Sequence, residues 1–186
     1  MNVLAICGSR NPAGQTARAL NALVAGAESA GCSSDIVYLP ELELQACRQC
    51  EDDGWGECRG GEHCVIEDDL TSVIQKIREA DFVVFATPVY FSDLSESLKS
   101  FLDRLRRLCI HGASKDRIQG TPAIALCVAG GGGGGAPRCA HLLETSLQTC
   151  GFDVVDVIPA RRQNLEMKCD ILRRTGQWIA TRPTSA

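Results

Sequence analysis

No apolar run in this 186-residue chain is longer than a strand, which leaves nothing able to span a bilayer. The opening residues, Met1 to Gly8, lack a basic stretch and a small-residue cleavage site, so no secretory leader is expected. Positive charge is in deficit as well. Nineteen Lys and Arg against 23 Asp and Glu give a net −4, which argues against a nucleic-acid partner and against a membrane surface. No internal repeat and no convincing acid–base or nucleophile constellation is visible, so no side chain is expected to be catalytic. What remains is 45% hydrophobic and 23% charged, enough for a proper core in a single domain covering 1–186, expected in the cytoplasm.

Elements alternate cleanly along the chain. Val3 to Cys7, Ile36 to Leu39, Phe82 to Ala86, Ala123 to Val128 and Val154 to Ile158 read as strands, the first, third and fourth as continuous apolar runs buried on both faces. Between and after them, apolar residues recur at helical spacing, as in Leu20, Leu23, Val24 and Ala27, or Leu98, Phe101, Leu102 and Leu105. Five strands alternating with five helices predict an α/β fold, a doubly wound parallel sheet covered on both faces. Such sheets bind ligands beyond the carboxyl ends of their strands, where strand order reverses. The loops after the first, third and fourth strands therefore carry the functional reading.

The first loop, Gly8-Ser9-Arg10-Asn11-Pro12-Ala13-Gly14-Gln15-Thr16, leads from a buried strand to a helix start. Backbone N–H groups at a helix N-terminus, with hydroxyls, an amide and an arginine around them, suit a phosphate; a well-capped turn needs the same residue types. The loop has neither the Gly-Lys-Ser/Thr ending of a triphosphatase loop nor G-x-G-x-x-G, so a monophosphate fits best. The second loop, Thr87-Pro88-Val89-Tyr90-Phe91, offers a hydrophobic wall to a planar ring, or aromatics that simply cover the sheet end. The third loop has six consecutive glycines, Gly130 to Gly135, costly to order and explained either by close approach to a ligand or by flexibility.

Taken together, Gly-Ser-Arg with Gln15-Thr16, Thr-Pro-Val-Tyr-Phe, and Leu98-Lys99-Ser100-Phe101-Leu102-Asp103-Arg104 resemble the flavodoxin-like NAD(P)H-dependent FMN reductases from about Met1 to about Gly151. The Cys-rich stretch before Cys64-Val65-Ile66-Glu67-Asp68-Asp69 resembles their iron–sulfur flavoprotein branch. The resemblance implies a flavodoxin-like sheet of order 2-1-3-4-5 with a Cys-rich insert (41–69) after strand 2. It implies FMN, its phosphate held by Ser9, Arg10, Gln15 and Thr16, its ring lined by Pro88, Val89, Tyr90 and Phe91 and approached by Gly130, Gly131 and Gly132. Gln15 stands where the family usually has asparagine. An oxidoreductase taking electrons from NAD(P)H to a quinone, free flavin or similar small acceptor is implied, as a homodimer or homotetramer. Two alternatives stand beside it: an electron carrier between protein partners, and a zinc-stabilised non-enzymatic module.

Eleven cysteines in a cytosolic chain should be reduced thiols or metal ligands. Cys47, Cys50, Cys58 and Cys64 offer four thiolates close in sequence, as iron–sulfur clusters and zinc both require. Flavin context puts [4Fe–4S] ahead of zinc; unligated surface cysteines are the plain alternative. Asp53 occupies the position of the family's third cysteine. The insert from Glu41 to Asp69 carries −8 while the remainder carries +4, so its carboxylates are expected to discourage free thiolates and a dithiol redox pair. Arg104, Arg106 and Arg107 are expected on a solvated helix face or in a subunit contact.

Overall fold

The computed structural model describes residues 1–60, 63–111 and 118–182. Five parallel strands form one sheet: β1 (Asn2–Cys7), β2 (Ser33–Tyr38), β3 (Phe82–Pro88), β4 (Pro122–Ala129) and β5 (Asp153–Arg161). Their order is β2-β1-β3-β4-β5, the flavodoxin-like arrangement, all pairs parallel. The expected strands are all present and each is somewhat longer than its apolar run, because hydrogen bonding continues through residues whose side chains give no hydrophobic signal. The edge strand β5 tolerates Asp156 through a bulge: Ala123 and Ile124 of β4 face Val154 and Asp156, so Val155 is skipped.

Five helices with described bounds close the two faces: α1 (Gln15–Ser29), α2 (Leu70–Glu79), α3 (Glu96–His111), α4 (Ala136–Cys150) and α5 (Leu165–Ile179). The buried strands are apolar throughout because alternate residues feed two cores. Leu4, Ile6, Val83, Phe85, Ala125 and Cys127 point to α2, α3 and α4. Val3, Ala5, Cys7, Val84, Ala86 and Leu126 point to α1 and α5. The helices α1 and α5 cross backbone to backbone at two glycines. A Cβ on Gly26 would stand 2.1 Å from the Arg173 carbonyl oxygen, and one on Gly176 2.0 Å from that of Leu23. No helix among the described residues is long and apolar enough to cross a membrane.

Among its described residues, the insert between β2 and α2 has almost no regular structure, only short 3-10 turns at Leu39–Glu41 and Glu57–Arg59. Its two arms are tied at the base: Glu43 N–H donates to Asp69 (2.8 Å), Asp69 N–H to the Glu43 carbonyl (3.1 Å), and Gln45 N–H to Asp68 (2.9 Å).

Candidate functional site

At the carboxyl ends of β1, β3 and β4 lies an open crevice of about 680 Å³, lined by all three of the loops singled out above. That volume lies within the ~300–1,000 Å³ typical of cofactor pockets. Hydroxyls behind it brace the strand ends. Ser97 Oγ of α3 donates to the Gly8 carbonyl (3.0 Å), Ser95 N–H to Thr87 Oγ1 (3.0 Å), and Gly8 N–H to the Ala86 carbonyl (2.8 Å), stitching the β1 and β3 ends together.

The loop after β1 coils on itself. Asn11 accepts from Ala13 N–H with its side chain (3.0 Å) and from Gly14 N–H with its carbonyl (3.0 Å). This delivers the start of α1 to the crevice with Gly14 at the N-cap, no side-chain cap and no acid in the first turn. Uncapped N–H groups and the positive end of the helix dipole thus face the space an anion would fill. The plain reading of this loop as a side-chain-capped turn does not hold. Ser9, Gln15 and Thr16 line the crevice beside Asn11, Ala13, Gly14 and Arg18. Gln15 Oε1 is buried with no hydrogen-bond partner. Arg10 is directed elsewhere: it ion-pairs with Glu96 and lines a neighbouring groove with Leu39, Pro40 and Leu42.

Pro88, Val89 and Tyr90 line the crevice, with Val89 N–H bonded to the Val128 carbonyl (3.1 Å). Phe91 lies outside it. Tyr90 and Asp93 exchange backbone hydrogen bonds (3.0 and 2.9 Å) across a tight turn whose central residues, Phe91 (φ 51°) and Ser92 (φ 64°), are both left-handed. Two consecutive non-glycine residues in that region are costly and mark a constrained rim. Nor do the aromatics cover the sheet end, since Tyr90 is half exposed and Phe91 fully so.

Of the expected glycines, Gly130 and Gly131 line the crevice, joined by Gly134; Gly132 does not. An added Cβ on Gly130, Gly131 or Gly134 would meet nothing within 4 Å and would occupy crevice space. Gly135 (φ 79°) has a different reason: its Cβ would come within 2.8 Å of Ser92 Cα, so the glycine run closes against the Tyr90–Asp93 turn. Gln163 donates to the Gly131 carbonyl (3.2 Å), and Gly133 N–H to that of Gly130 (2.8 Å), which makes this loop ordered rather than slack. Uncapped α1 N–H groups and a backbone wall without Cβ atoms fit a phosphorylated planar cofactor such as FMN.

A second, small cavity of about 20 Å³ lies between the insert and α3. Cys47, Cys50, Cys58 and Cys64 all line it, with Arg48, Trp55, Arg104, Arg107 and Leu108. Among the described residues no carboxylate does. Glu51, Asp52, Asp53, Glu57 and Glu67 are exposed, so the charge expected to discourage thiolates is turned to solvent while guanidiniums face the sulfurs. His63 also stays outside, exposed and paired with Glu57 (3.0 Å). The other seven cysteines are buried, all unpaired. Burial pushes the Cys7 thiol up to about 11, and hydrogen bonding to Cys139 and Cys109, with burial, raises the Cys127 and Cys150 thiols.

The arginines of α3 overturn the expectation of a solvated face. Arg104 is 2% exposed and bonds to Asp68, whose side chain is equally buried, and to the Gln45 carbonyl (3.0 Å). Burial alone would raise the Asp68 pKa, but hydrogen bonds from Arg104 and from the Gln45 and Leu70 N–H groups hold it below the usual carboxylate range. Arg107 donates to the Gly54 carbonyl (2.5 Å) and lies 4.7 Å from the Trp55 ring centroid, with Arg59 at 5.3 Å. Sequence reading missed these residues, although Arg104 shares helical spacing with buried Phe101 and Leu108.

Comparison with known proteins agrees with this geometry. The chain is 30% identical over 131 residues to an iron–sulfur flavoprotein of Methanocaldococcus jannaschii, covering 70% of this chain and 65% of that one. It is 29% identical over 158 residues to an iron–sulfur flavoprotein of Methanosarcina thermophila, covering 83% and 77%. An NAD(P)H:quinone oxidoreductase from Methanothermobacter marburgensis shares the fold, with a TM-score of 0.71 over 100% of this chain and 99% of that one at 18% identity. The match that decides the matter runs from the first strand into the fifth, residues 1–159, and takes in every loop of the crevice: the chain belongs to the NADPH-dependent FMN reductase family.

Proposed function

We propose that the crevice holds FMN and that the chain passes electrons from NAD(P)H through it to a quinone, free flavin or similar small acceptor. The observation that carries this reading is the uncapped start of α1 facing the same crevice as the Cβ-free wall of Gly130, Gly131 and Gly134. Bound there, FMN supplies the hydride and electron chemistry. The chain's part is to bind and orient. Thr16, Ser9 and the first-turn N–H groups of α1 hold the phosphate, Pro88 to Tyr90 position the ring, and the Tyr90–Asp93 turn keeps one side of the mouth open. A second copy of the chain covering exposed Tyr90 and Phe91, in a homodimer or homotetramer, is part of this reading. Eleven unpaired cysteines suit a reducing, cytoplasmic setting.

The chamber is read as the seat of an iron–sulfur cluster held by Cys47, Cys50, Cys58 and Cys64. Among the described residues no three His, Cys, Asp or Glu side chains are grouped to hold a single metal ion. Zinc needs all four sulfurs about 2.3 Å from one point. Four cysteine sulfurs around one shared cavity would supply the donor set of a four-iron cluster, and the flavin context puts that cluster ahead of zinc. The arrangement also favours a second reading, an electron carrier, because Cys50 is exposed where a protein partner could approach. The helix α3 runs between them: its Ser97 bonds the Gly8 carbonyl at the end of β1, and its Arg104 lines the chamber, roughly 10 Å further along the helix axis.

The test is steady NAD(P)H oxidation by anaerobically purified protein with a quinone or free flavin, beside iron and acid-labile sulfide analysis. Turnover supports the reductase. Flavin and cluster without turnover support the carrier, and a colourless protein with stoichiometric zinc refutes both.

A further inference from the structure

Arg104 uses one arm of its guanidinium and leaves the rest unspent. Nη1 donates to Asp68 and to the Gln45 carbonyl, whereas Nε and Nη2 are buried with no oxygen or nitrogen partner, and the guanidinium interacts with the Cys64 thiol beside it. More than nine in ten buried polar groups in native proteins find a partner, and leaving a charged one unmet is expensive. Both atoms belong to a side chain lining the four-cysteine chamber, where no carboxylate is found among the described lining residues. Sulfur is the acceptor available there. A neutral thiol accepts weakly, while a metal-bound thiolate or sulfide accepts well. Charge points the same way: Asp68 already balances Arg104, so among the described lining residues Arg48 and Arg107 leave a positive excess that an anionic sulfur centre would neutralise.

We propose that Arg104 sets the reduction potential of the sulfur centre, donating from Nε and Nη2 to its sulfur ligands, with Asp68 fixing the orientation of the fork. This rests on the reading of the four cysteines as cluster ligands. Arg104 is a positioning and tuning residue: it stays protonated throughout, and no bond to it forms or breaks. When one electron enters the centre from a reductant such as dithionite, the centre becomes more negative. Two N–H donors and a nearby cation stabilise that reduced form and raise the potential. Arginine is required over lysine because the planar fork serves Asp68 on one side and sulfur on the other.

The experiment compares three variants with the native chain after anaerobic loading with ferrous iron and sulfide, the potential being stepped with dithionite and the centre followed by its absorption and electron paramagnetic resonance. Arg104→Gln with Asp68→Asn removes both buried charges together, so that neither is stranded. At the native midpoint this variant is expected to be at least tenfold less reduced, a shift of 59 mV or more to lower potential for one electron. Arg104→Lys, which keeps the charge and loses the fork, is expected to fall between the two, and it carries the test if the double variant does not fold. Arg106→Gln, removing a charge from the same helix away from the chamber, is expected to leave the midpoint in place. An unchanged midpoint in both Arg104 variants overturns the proposal and leaves the ligand reading intact. A native chain that takes up no iron and sulfide overturns both.

Discussion

The crevice and the chamber lie on the same domain and are built by opposite means. Three strand ends supply the crevice, which presents mostly main chain: α1 N–H groups, glycine backbone and a proline corner. Its parts lie some 120 residues apart in sequence and meet because a parallel sheet brings all its carboxyl strand ends to one edge. The chamber presents side chains. It is formed by a segment with little regular structure, clamped onto α3 by the Arg104–Asp68 pair and by Arg107 against Gly54 and Trp55. A site made of backbone should survive most single substitutions; one held by a few buried polar contacts should not.

The sharpest way to break that contrast is Arg104→Leu, which strands Asp68 as a buried charge. It is expected to destabilise the chain by about 3–5 kcal/mol in denaturant unfolding, and adding Asp68→Asn should recover much of the loss. Acid has the same target. Because the Asp68 pKa is depressed on folding, its contribution is fully present above the ordinary carboxylate pKa near 4 and is lost as pH falls through the lower folded value. An acid titration of stability should therefore lose that component in the Asp68→Asn variants. Their FMN affinity, measured where they remain folded, should stay native.

Next in size is Thr16→Val, aimed at the crevice. FMN affinity should fall by about 1–3 kcal/mol for a lost hydrogen bond to a charged phosphate, with overall stability and the alkylation of the four insert cysteines unchanged. The smallest effect belongs to Arg10→Ala. Its exposed pairing with Glu96 predicts less than about 1 kcal/mol in FMN binding by fluorescence titration, because such solvent-screened pairs contribute little. A larger loss would mean that Arg10 swings into the crevice when the cofactor binds.

How much of this was legible in the sequence follows the same division. The parallel sheet and the three loops could be read because apolar runs and helical spacing are local signals, whereas the sheet order followed only from the resemblance to the FMN reductases. Ser9, Gln15, Thr16, Pro88, Val89, Tyr90, Gly130 and Gly131 all line the crevice. Phe91 and Gly132 do not, since which residues of a tight turn point inward depends on backbone angles, such as φ 51° at Phe91, that composition does not announce. Arg104 was misread as surface because charge on an amphipathic helix is usually solvated. Its partner Asp68 is 36 residues away, and no local pattern links them. The acidic insert is hard to read for a related reason: summed charge does not say which way side chains face, and here Glu51, Asp52, Asp53, Glu57 and Glu67 are exposed, Asp68 is buried against Arg104, and arginines line the four-cysteine cavity.

Most directly, the account stands on the α1 N-terminus as a phosphate grip, and a paired titration of flavin-free protein with FMN and with riboflavin isolates that single group. Saturable one-to-one quenching of flavin fluorescence, with FMN bound at least ~100-fold more tightly than riboflavin, is the expected result, about 2.7 kcal/mol for the phosphate. Equal affinities, or no binding of either flavin, would contradict it.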